Sequence, residues 1–435
     1  MPELYQALRA QREGDATHTR ELLEELAESG DPRAAHLLGS LCSHGEGGPE
    51  DPAAAAIWYR RAADVGHAPA AFNLAALYAL GRGVSQDYAT AMRWYRRAAD
   101  LGMAAAERMI GNMYGRGEGI DQDPAAALRW IRLAAEHGDR EAMYQLGRLL
   151  EAGVNGDDAT EPNLPEAARW YLEAGAGEDG LAEAARGLSV LAPHLQALAD
   201  DDPAAACRLG QLRRLGAGVR RDPVGAARLL TAAAEAGHAE ASYELGGMYR
   251  DGDGVEQDPA EAVRRYTAAA EAGLAAAQHD LAWMLWTGTG AEPDWDRALR
   301  WYVASAEQGD AQSMYDVALA LLAIDDEATG EAAGRTASAA RRVKAASWMR
   351  RAAEGGWVPA MPALGRAYAT GDGLRRDPVQ AARWFLAALL AGNGDGLHDL
   401  HELAGQLSPD QVREADRLAG GDGAHAAALM AVTGG

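Results

Sequence analysis

The tryptophans and glycines of this chain recur at a fixed distance, and that distance limits what the chain can fold into. Trp58, Trp94 and Trp130 lie 36 residues apart. Two sets of glycines keep the same step: Gly81, Gly117 and Gly153, and then Gly216, Gly252 and Gly288. Four more tryptophans occupy the corresponding position once insertions are allowed for: Trp170, Trp301, Trp348 and Trp384. A period of about 20 to 50 residues is typical of a repeat array, in which each unit packs on its neighbours. The sequence therefore predicts a solenoid.

The stretch MYGRGEGIDQDPAAALRW, residues 113–130, looks like a phosphate-binding loop because three glycines precede a helix. A nucleotide loop of that type needs a Lys-Ser or Lys-Thr pair where the helix begins, and a dinucleotide site needs an apolar strand before the glycines. Neither is present. Similar stretches end at Trp94 and at Arg265. The glycines therefore belong to the repeat and do not indicate a nucleotide site.

Each unit is predicted to hold two helices, of which residues 69–81 illustrate the first. Leu74, Leu77 and Tyr78 recur at three- and four-residue spacing, which predicts one apolar stripe. Gly81 is predicted to end the helix, because glycine accepts the left-handed conformation found at helix C-termini. A small residue follows the stripe's leucine and is predicted to mark close helix packing: Ala75, Gly111, Gly147, Gly210 and Gly246.

Asp-Pro pairs announce the second helix, since aspartate caps free N–H groups and proline suits the first helical position. The pairs are Asp51-Pro52, Asp123-Pro124, Asp222-Pro223, Asp258-Pro259 and Asp377-Pro378, while Asp202-Pro203 opens a first helix. The second helix carries a Trp-Tyr pair, which we predict to be core because it recurs in nearly every unit. Arginine pairs after it, such as Arg60-Arg61 and Arg96-Arg97, are predicted to be solvated and partnered by acidic residues.

Composition restricts the class of protein. The chain has 435 residues, more than one compact core usually fills, and a formal net charge of −23. Alanine and glycine are abundant and β-branched residues are sparse, so an almost entirely helical chain is expected. The acidic balance argues against nucleic-acid binding, which needs clustered lysine and arginine. No window approaches the apolar length of a membrane span, so no membrane partner is expected.

The cysteines and the N-terminus bear on location. Cys42 and Cys207 fall in different repeats, which does not resemble a disulfide framework and favours a reducing compartment. The start, MPELYQALRAQREGD, resembles an amphipathic helix more than a signal peptide. We therefore expect a cytoplasmic protein.

The repeat resembles the Sel-one-like repeat, a relative of the tetratricopeptide repeat. The stretch AEASYELGGMYRDGDGVEQDPAEAVRRYTAAAEAG, residues 239–273, fits the pattern nearly throughout, with Arg265 in place of the tryptophan. The resemblance covers residues 31–395, about nine units. It implies a right-handed all-α solenoid of stacked antiparallel helix pairs that binds other proteins. It also implies no active site, so no catalytic residue, cofactor or small-molecule substrate is expected.

Departures from the repeat suggest the organisation of the chain. We expect capping helices at residues 1–30, repeats 1–4 at 31–176, and repeats 5–9 at 203–395. Residues 177–202 are an irregular connection, either an extra helix or a degraded half-unit, and a bend is expected there. Residues 325–343 are a polar insertion. Residues 396–435 are expected to form C-terminal capping helices with a capping box from Ser408 to Gln411, followed by a frayed tail.

Residues with catalytic or metal-binding side chains form no complete site. Cys42, His44 and His36 lie close in sequence, but a structural zinc site needs four ligands and no fourth is evident. His398 and His401 lack a third ligand. Some cysteine-rich relatives have been described as β-lactamases, but the cysteine pair that each of their repeats carries is absent. A hydrolase therefore remains only a third hypothesis.

In the tetratricopeptide family the first helix lines a concave groove, so the resemblance assigns the variable positions of these helices to a protein-binding surface. Those positions are Arg108, Arg116, Arg148, Arg208, Arg214, Arg250, Trp283, Trp286, Tyr315, Leu319 and Leu322, with acidic residues among them at Glu141, Glu151, Glu240, Glu244 and Asp280. Trp283 and Trp286 lie outside the repeating tryptophan position. Aromatic side chains beside arginines are typical of binding hot spots. Alternatively, the neighbouring insertion covers both tryptophans.

Two functions fit these observations. The first is a scaffold or adaptor that binds a protein or extended peptide in the groove. The second is a dedicated inhibitor or immunity protein that covers a toxin or enzyme, because a large acidic surface suits a basic partner.

Overall fold

The computed structural model describes residues 2–154, 161–177, 180–327 and 332–421. Within these ranges the chain forms 23 α-helices and no strand. Successive helices pack against each other as antiparallel pairs. The predicted fold class, an all-α solenoid of stacked helix pairs, is confirmed.

The chain divides into two compact units. The N-terminal unit, Pro2–Leu229, contains the first twelve helices: α1 (Pro2–Arg12), α2 (Ala16–Glu28), α3 (Pro32–His44), α4 (Pro52–Asp64), α5 (Ala68–Leu80), α6 (Tyr88–Asp100), α7 (Ala104–Arg116), α8 (Pro124–Glu136), α9 (Arg140–Glu151), α10 (Leu164–Ala174), α11 (Ala182–Leu198) and α12 (Pro203–Leu215). Helix α13 (Pro223–Glu235) contains the division. Each unit is described by itself below.

The C-terminal unit, Leu230–Gly435, contains the remaining helices: α14 (Ala239–Asp251), α15 (Pro259–Glu271), α16 (Ala275–Thr287), α17 (Trp295–Glu307), α18 (Ala311–Glu327), α19 (Ala332–Glu354), α20 (Ala360–Thr370), α21 (Pro378–Leu390), α22 (Leu397–Ala404) and α23 (Pro409–Leu418). Helices α14, α16, α18 and α20 are the first helices of its repeats, and α15, α17, α19 and α21 are the second helices. The first and second helix of each repeat pack together.

The predicted helix ends are confirmed. The carboxylate of Asp51 accepts from the backbone N–H of Ala54 at 2.9 Å, and Pro52 occupies the first turn of α4. Gly81 ends α5 in the left-handed conformation, with φ of 67°. The capping box between Ser408 and Gln411 is also present. These contacts satisfy backbone groups that would otherwise lack partners at the helix ends.

The second glycine of each loop explains the stretch that resembled a phosphate loop. A Cβ placed on Gly119 would lie 2.5 Å from the Cβ of Tyr88 and 2.8 Å from its backbone carbon. Tyr88 begins α6, the second helix of the preceding repeat, so the loop of one repeat lies directly on its neighbour. The glycines therefore allow repeat stacking, and the backbone approaches protein where a nucleotide loop would approach phosphate.

In several repeats the core contains an aromatic ring packed on a small residue. A Cβ at Gly147 would lie 2.7 Å from the ring of Tyr171, which is 1% exposed. The same arrangement recurs at Gly39 with Tyr59, Gly246 with Tyr266, and Gly365 with Phe385. The close packing predicted from the small residues is thus confirmed, and the group that fills the space comes from the second helix: an aromatic ring in these repeats, and the side chain of Ile131 at Gly111.

The Trp-Tyr pair divides into a buried and a half-buried residue. Tyr95 is 1% exposed, whereas Trp94 is only partly buried at the edge of the core. Burial of the whole pair was predicted, but adjacent residues on a helix point about 100° apart, and only the tyrosine faces the partner helix. Trp170 and Trp384 are exceptions, exposed by 2% and 5%.

The arginines that follow the pair are exposed, as predicted, but their partners differ from the prediction. Arg96 donates to the hydroxyl of Tyr114 at 3.0 Å, and Arg97 donates to the backbone carbonyl of Asp64 at 2.8 Å. The guanidinium of Arg61 lies 4.5 Å from the ring centre of Trp58. In the described residues these arginines form no ion pair, because aromatic rings and carbonyl groups occupy the positions expected for acidic partners.

The two irregular segments differ in how far the structure describes them. Of the two alternatives for residues 177–202, the structure shows a helix, α11, which packs against both α10 and α12. The insertion expected at 325–343 lies partly within the long helices α18 and α19, and residues 328–331 lie outside the described residues. The predicted frayed tail, AVTGG at residues 431–435, also lies outside them.

Candidate protein-binding site

Equivalent positions on the first helices of the C-terminal unit define one surface. Trp283 on α16 and Leu319 on α18 are 36 residues apart, so they have the same position in successive repeats. Arg366 has that position on α20, because it lies five residues before the closing Gly371, as Trp283 lies five before Gly288. We call these three residues the first-helix surface.

Two of these side chains are large, apolar and accessible. Trp283 is 45% exposed and Leu319 is 43% exposed, and the side chain of Arg366 is 50% exposed. The guanidinium of Arg366 pairs with Asp399 at 2.8 Å and also donates to the backbone carbonyl of Asp395. The charge on this surface is therefore partly neutralised within the unit, and the accessible apolar area lies on Trp283 and Leu319.

A small apolar pocket lies beside Leu319, between α18, α19 and α20. It has a volume of about 220 Å³, and Leu322, Met349 and Ala363 are among its lining residues. Small-molecule sites usually have roughly 300–1,000 Å³. The smaller volume suits a single apolar side chain. Arg342 and Arg366 lie at its edge, and Arg342 pairs with Asp372 at 3.1 Å.

Trp286 and Tyr315, which were predicted to lie on the same surface, are packed more deeply. Trp286 is partly buried against two hydrophobic clusters of the unit, and its ring centre lies 6.1 Å from that of Trp295. Tyr315 is half-buried, and burial raises the pKa of its hydroxyl. These two residues support the surface from below, and Trp283 is the more accessible of the two predicted tryptophans.

Polar side chains connect α14 to α16 beneath this surface. Arg250 pairs with the neighbouring Asp251 at 2.8 Å and with Asp280 at 3.6 Å. The hydroxyl of Tyr243 donates to Asp280 at 3.3 Å. Arg250, predicted to lie on the binding surface, thus already has two carboxylates. Its side chain is still 38% exposed.

His279 continues this network from α16 to α18. Its Nδ1 lies 3.2 Å from Asp280 and its Nε2 lies 2.9 Å from Asp316. Only 17% of its side chain is exposed, and the ring of Tyr302 packs edge-on at 5.6 Å. Burial alone would lower the pKa of His279, but hydrogen bonds to the two carboxylates outweigh it and raise that pKa to about 9.

The C-terminal unit is therefore expected to lose stability as pH rises from about 6.5 to about 9. A histidine with a raised folded-state pKa stabilises the fold fully below its unfolded pKa, and this contribution disappears as pH passes the folded value. We expect a loss on the order of 2 kcal/mol, because water screens part of the network. Urea unfolding at several pH values measures it. His279→Gln should remove the pH dependence, and an unchanged slope in that variant would contradict the assignment.

The predicted arginines of the N-terminal unit have different environments. Arg116 and Arg148 are exposed, and Arg214 is half-buried. Arg108 is mostly buried and pairs with Asp139 at 2.8 Å. Arg208 departs from the expectation of an accessible residue, because it is only 9% exposed and donates to Gln211 at 2.6 Å. The structure therefore does not bring these arginines into one basic groove.

The candidate metal residues also separate. His36 contacts His67, with ring centres 4.8 Å apart, and burial with this neighbour lowers the pKa of His36 to about 4. His44 is bonded to its own helix, and Cys42 is buried. Nowhere in the described ranges do three or more metal-binding side chains converge.

Over the same ranges, no helix has the length and apolarity needed to cross a lipid bilayer.

Sequence reasoning missed His279, Asp316 and Arg366, although a spacing could have identified two of them. Cross-repeat polar contacts join residues 37 apart: His279 with Asp316, Tyr243 with Asp280, and His36 with Asn73. A polar residue followed 37 positions later by a complementary one therefore predicts a contact between successive first helices. Arg366 was hidden by the insertion before it, which shifts its spacing from Leu319 to 47 residues.

Comparison with known proteins identifies the repeat. The Sel1 repeat model matches nine segments, at residues 32–67, 68–103, 104–139, 140–179, 203–238, 239–274, 275–310, 342–357 and 358–393. Only the second part of the eighth unit is matched, which agrees with the altered α18–α19 connection. No curated protein matches the chain.

Several solved structures are similar. A protective antigen present in uropathogenic Escherichia coli strains, displaying an SLR fold, is 28% identical over 95% of this chain and 97% of its own, with a TM-score of 0.38. A Sel1 repeat protein from Oxalobacter formigenes is 24% identical over 70% and 96%, with a TM-score of 0.31. An immunity protein from Pseudomonas aeruginosa is 20% identical over 55% and 81%, with a TM-score of 0.24. Because the family model matches well over half of the residues, this chain belongs to the Sel1 repeat family.

Proposed function

We propose that this protein is a non-enzymatic interaction scaffold or adaptor whose C-terminal unit binds a segment of a partner protein on the first-helix surface. Sel1 repeat proteins are generally scaffolds for protein interactions. The observation that carries the proposal is the pair of exposed apolar side chains, Trp283 and Leu319, of which Leu319 lines a pocket of about 220 Å³. Tryptophan is enriched among the hot-spot residues that cluster near the centre of an interface.

The chemistry of the surface defines the kind of partner. An apolar side chain of leucine or methionine size fits the pocket, and a second apolar group covers the indole of Trp283. Arg250 and Arg366 each have an internal acidic partner, so a carboxylate on the ligand would share them. The binding free energy is therefore expected to come mainly from apolar contact, with the arginines adding orientation.

An affinity capture experiment with matched variants tests this function. The bait is the full chain, either unchanged or carrying Trp283→Ala with Leu319→Ala. The control carries Trp295→Ala with Leu397→Ala, which removes a tryptophan and a leucine that are similarly exposed, by 42% and 43%, in the same unit. We expect a protein that is retained by the unchanged bait and the control but lost from the first variant. Equal retention by all three baits would contradict the proposed surface.

A dedicated inhibitor of a toxin or enzyme is the second candidate, favoured by the net charge of −23. A strongly acidic protein accelerates association with a basic partner, and the effect decreases with salt. One basic partner bound tightly at equal stoichiometry, and weakened by salt, would support the inhibitor. Several partners insensitive to salt would support the scaffold.

The buried thiols Cys42 and Cys207 form no disulfide, which fits the proposed cytoplasmic location.

A further inference from the structure

A second pocket lies on the N-terminal unit, between the second helices α4 and α6. It has a volume of about 440 Å³ and is lined by Arg60, Tyr78, Thr90, Arg93, Trp94 and Arg97. Three arginines and two aromatic rings thus share one pocket in a chain with a formal net charge of −23. Arg60 and Arg97 belong to the arginine pairs of the repeat, and Arg93 adds a third cation beside them that the proposed function does not use.

Each of the three arginines is held by an uncharged acceptor. Arg60 donates to the hydroxyl of Tyr78, and Arg93 donates to the hydroxyl of Thr90 at 2.7 Å. Arg97 donates to a backbone carbonyl at 2.8 Å, and its guanidinium lies 5.8 Å from the ring centre of Trp94. A guanidinium has five N–H donors, so most of the donors in the pocket are left for another group.

No carboxylate of the described residues forms an ion pair with Arg60, Arg93 or Arg97, although elsewhere such pairs are common. The nearby Asp87 accepts from the hydroxyl and the backbone N–H of Thr90, and these bonds together with the charge of Arg93 lower the pKa of Asp87, although Asp87 and Arg93 form no direct ion pair. Three positive charges held close together repel one another. An anion that bridges them would relieve this repulsion and accept several charge-assisted hydrogen bonds.

The following grooves of the same unit lack this arrangement. One repeat later, Leu133 stands in place of Arg97 and Ala126 in place of Thr90. One repeat further, Arg132 pairs with Glu166 at 2.7 Å, and Arg169 pairs with Glu173 at 3.1 Å. The bond from Arg60 to Tyr78 recurs one repeat later as the bond from Arg96 to Tyr114, whereas the combination of Arg60 with Arg93, Thr90 and Arg97 does not recur there. The three unpaired cations occur once among these grooves, as expected for a ligand site.

We propose that this pocket binds an acidic segment of a partner protein through a carboxylate or phosphate group. Guanidinium groups bind both oxyanions with the same two-donor geometry, and the rings of Tyr78 and Trp94 provide contact for the adjoining part of the segment. The negative charge of the whole chain does not prevent this. At physiological salt the Debye length is about 8 Å, so the adjacent arginines determine the local field.

Fluorescence anisotropy with the full-length protein tests the proposal. The probes are a labelled poly-glutamate peptide and a phosphoserine-containing peptide of the same length, with inorganic phosphate as a competitor. At least one peptide should bind, and Arg93→Gln or Arg97→Gln should each weaken it about tenfold. Arg169→Gln is the control, because Arg169 also stacks on a tryptophan in this unit but has its own acidic partner. The melting temperature of each variant verifies folding.

The outcomes separate the possible ligands. Binding of both peptides supports recognition of carboxylate and phosphate alike, while binding of the phosphoserine peptide alone identifies phosphate as the recognised group. If phosphate binds but neither peptide does, the assignment to a protein segment is wrong. The proposal is also overturned if the pocket variants bind like the unchanged protein, or if Arg169→Gln weakens binding equally. Arg93→Lys keeps the positive charge but lacks the two-donor geometry of the guanidinium, so this variant should retain only part of the affinity of the unchanged protein.

Discussion

Tyr95→Ala is expected to destabilise the N-terminal unit by about 3–5 kcal/mol, the range for removing a fully packed aromatic ring. Tyr95 is 1% exposed, and the ring of Phe72 packs edge-on against it at 5.4 Å. Chemical unfolding of the full chain, with hydrogen exchange to locate the loss in α5 and α6, measures the effect.

The neighbouring Trp94→Ala is the matched control for this prediction. Trp94 is only partly buried, and its ring is stacked under Arg97 at the surface. Its removal should cost about 1–2 kcal/mol, because only part of its area is withdrawn from water. If Trp94→Ala proved more damaging than Tyr95→Ala, the tryptophan and not the tyrosine would be the core residue of the repeat.

Trp283→Ala is expected to reduce the affinity for a partner of the first-helix surface by at least about 2 kcal/mol without changing stability. Truncation of a central interface residue has an effect of this size, and a side chain that is 45% exposed contributes little to the fold. Titration calorimetry gives the affinity and thermal unfolding gives the stability. Since the contact is apolar, the loss should be the same at low and high salt.

Trp286→Ala, on the same helix, is expected to reduce stability, which Trp283→Ala should leave unchanged. Trp286 packs against the clusters that contain Tyr302 and Leu281, so its removal should lower the free energy of unfolding by about 2–3 kcal/mol. If Trp283→Ala destabilised the protein more than Trp286→Ala, the faces assigned to α16 would have to be exchanged.

Local sequence signals predicted the parts of the fold that depend on local chemistry. Gly81 and Asp51 end and begin helices as expected, because a left-handed turn and a free N–H group are properties of a few neighbouring residues. The period predicted the stacking, and the small residue at Gly246 predicted a close contact. Which group makes that contact, the ring of Tyr266, became apparent only in the structure.

The parts that sequence could not predict depend on contacts between repeats. Arg96 has Tyr114 as its partner where an acidic residue was predicted, and Arg208 is buried where an accessible residue was predicted. A helical pattern indicates which residues share a face but not what the next helix places opposite them. The candidate site shows the same limit. Trp283 was predicted, whereas Arg366 and the pocket beside Leu319 depend on the altered eighth repeat.

Hydrogen exchange of the full chain with a bound partner tests most directly whether the first-helix surface is the binding site. The proposed function predicts slower exchange in α16, α18 and α20, and unchanged exchange in the second helices α17 and α21. Protection should disappear with Trp283→Ala and persist with Trp295→Ala. Protection confined to α17 and α21, or to the N-terminal unit, would contradict the proposed function.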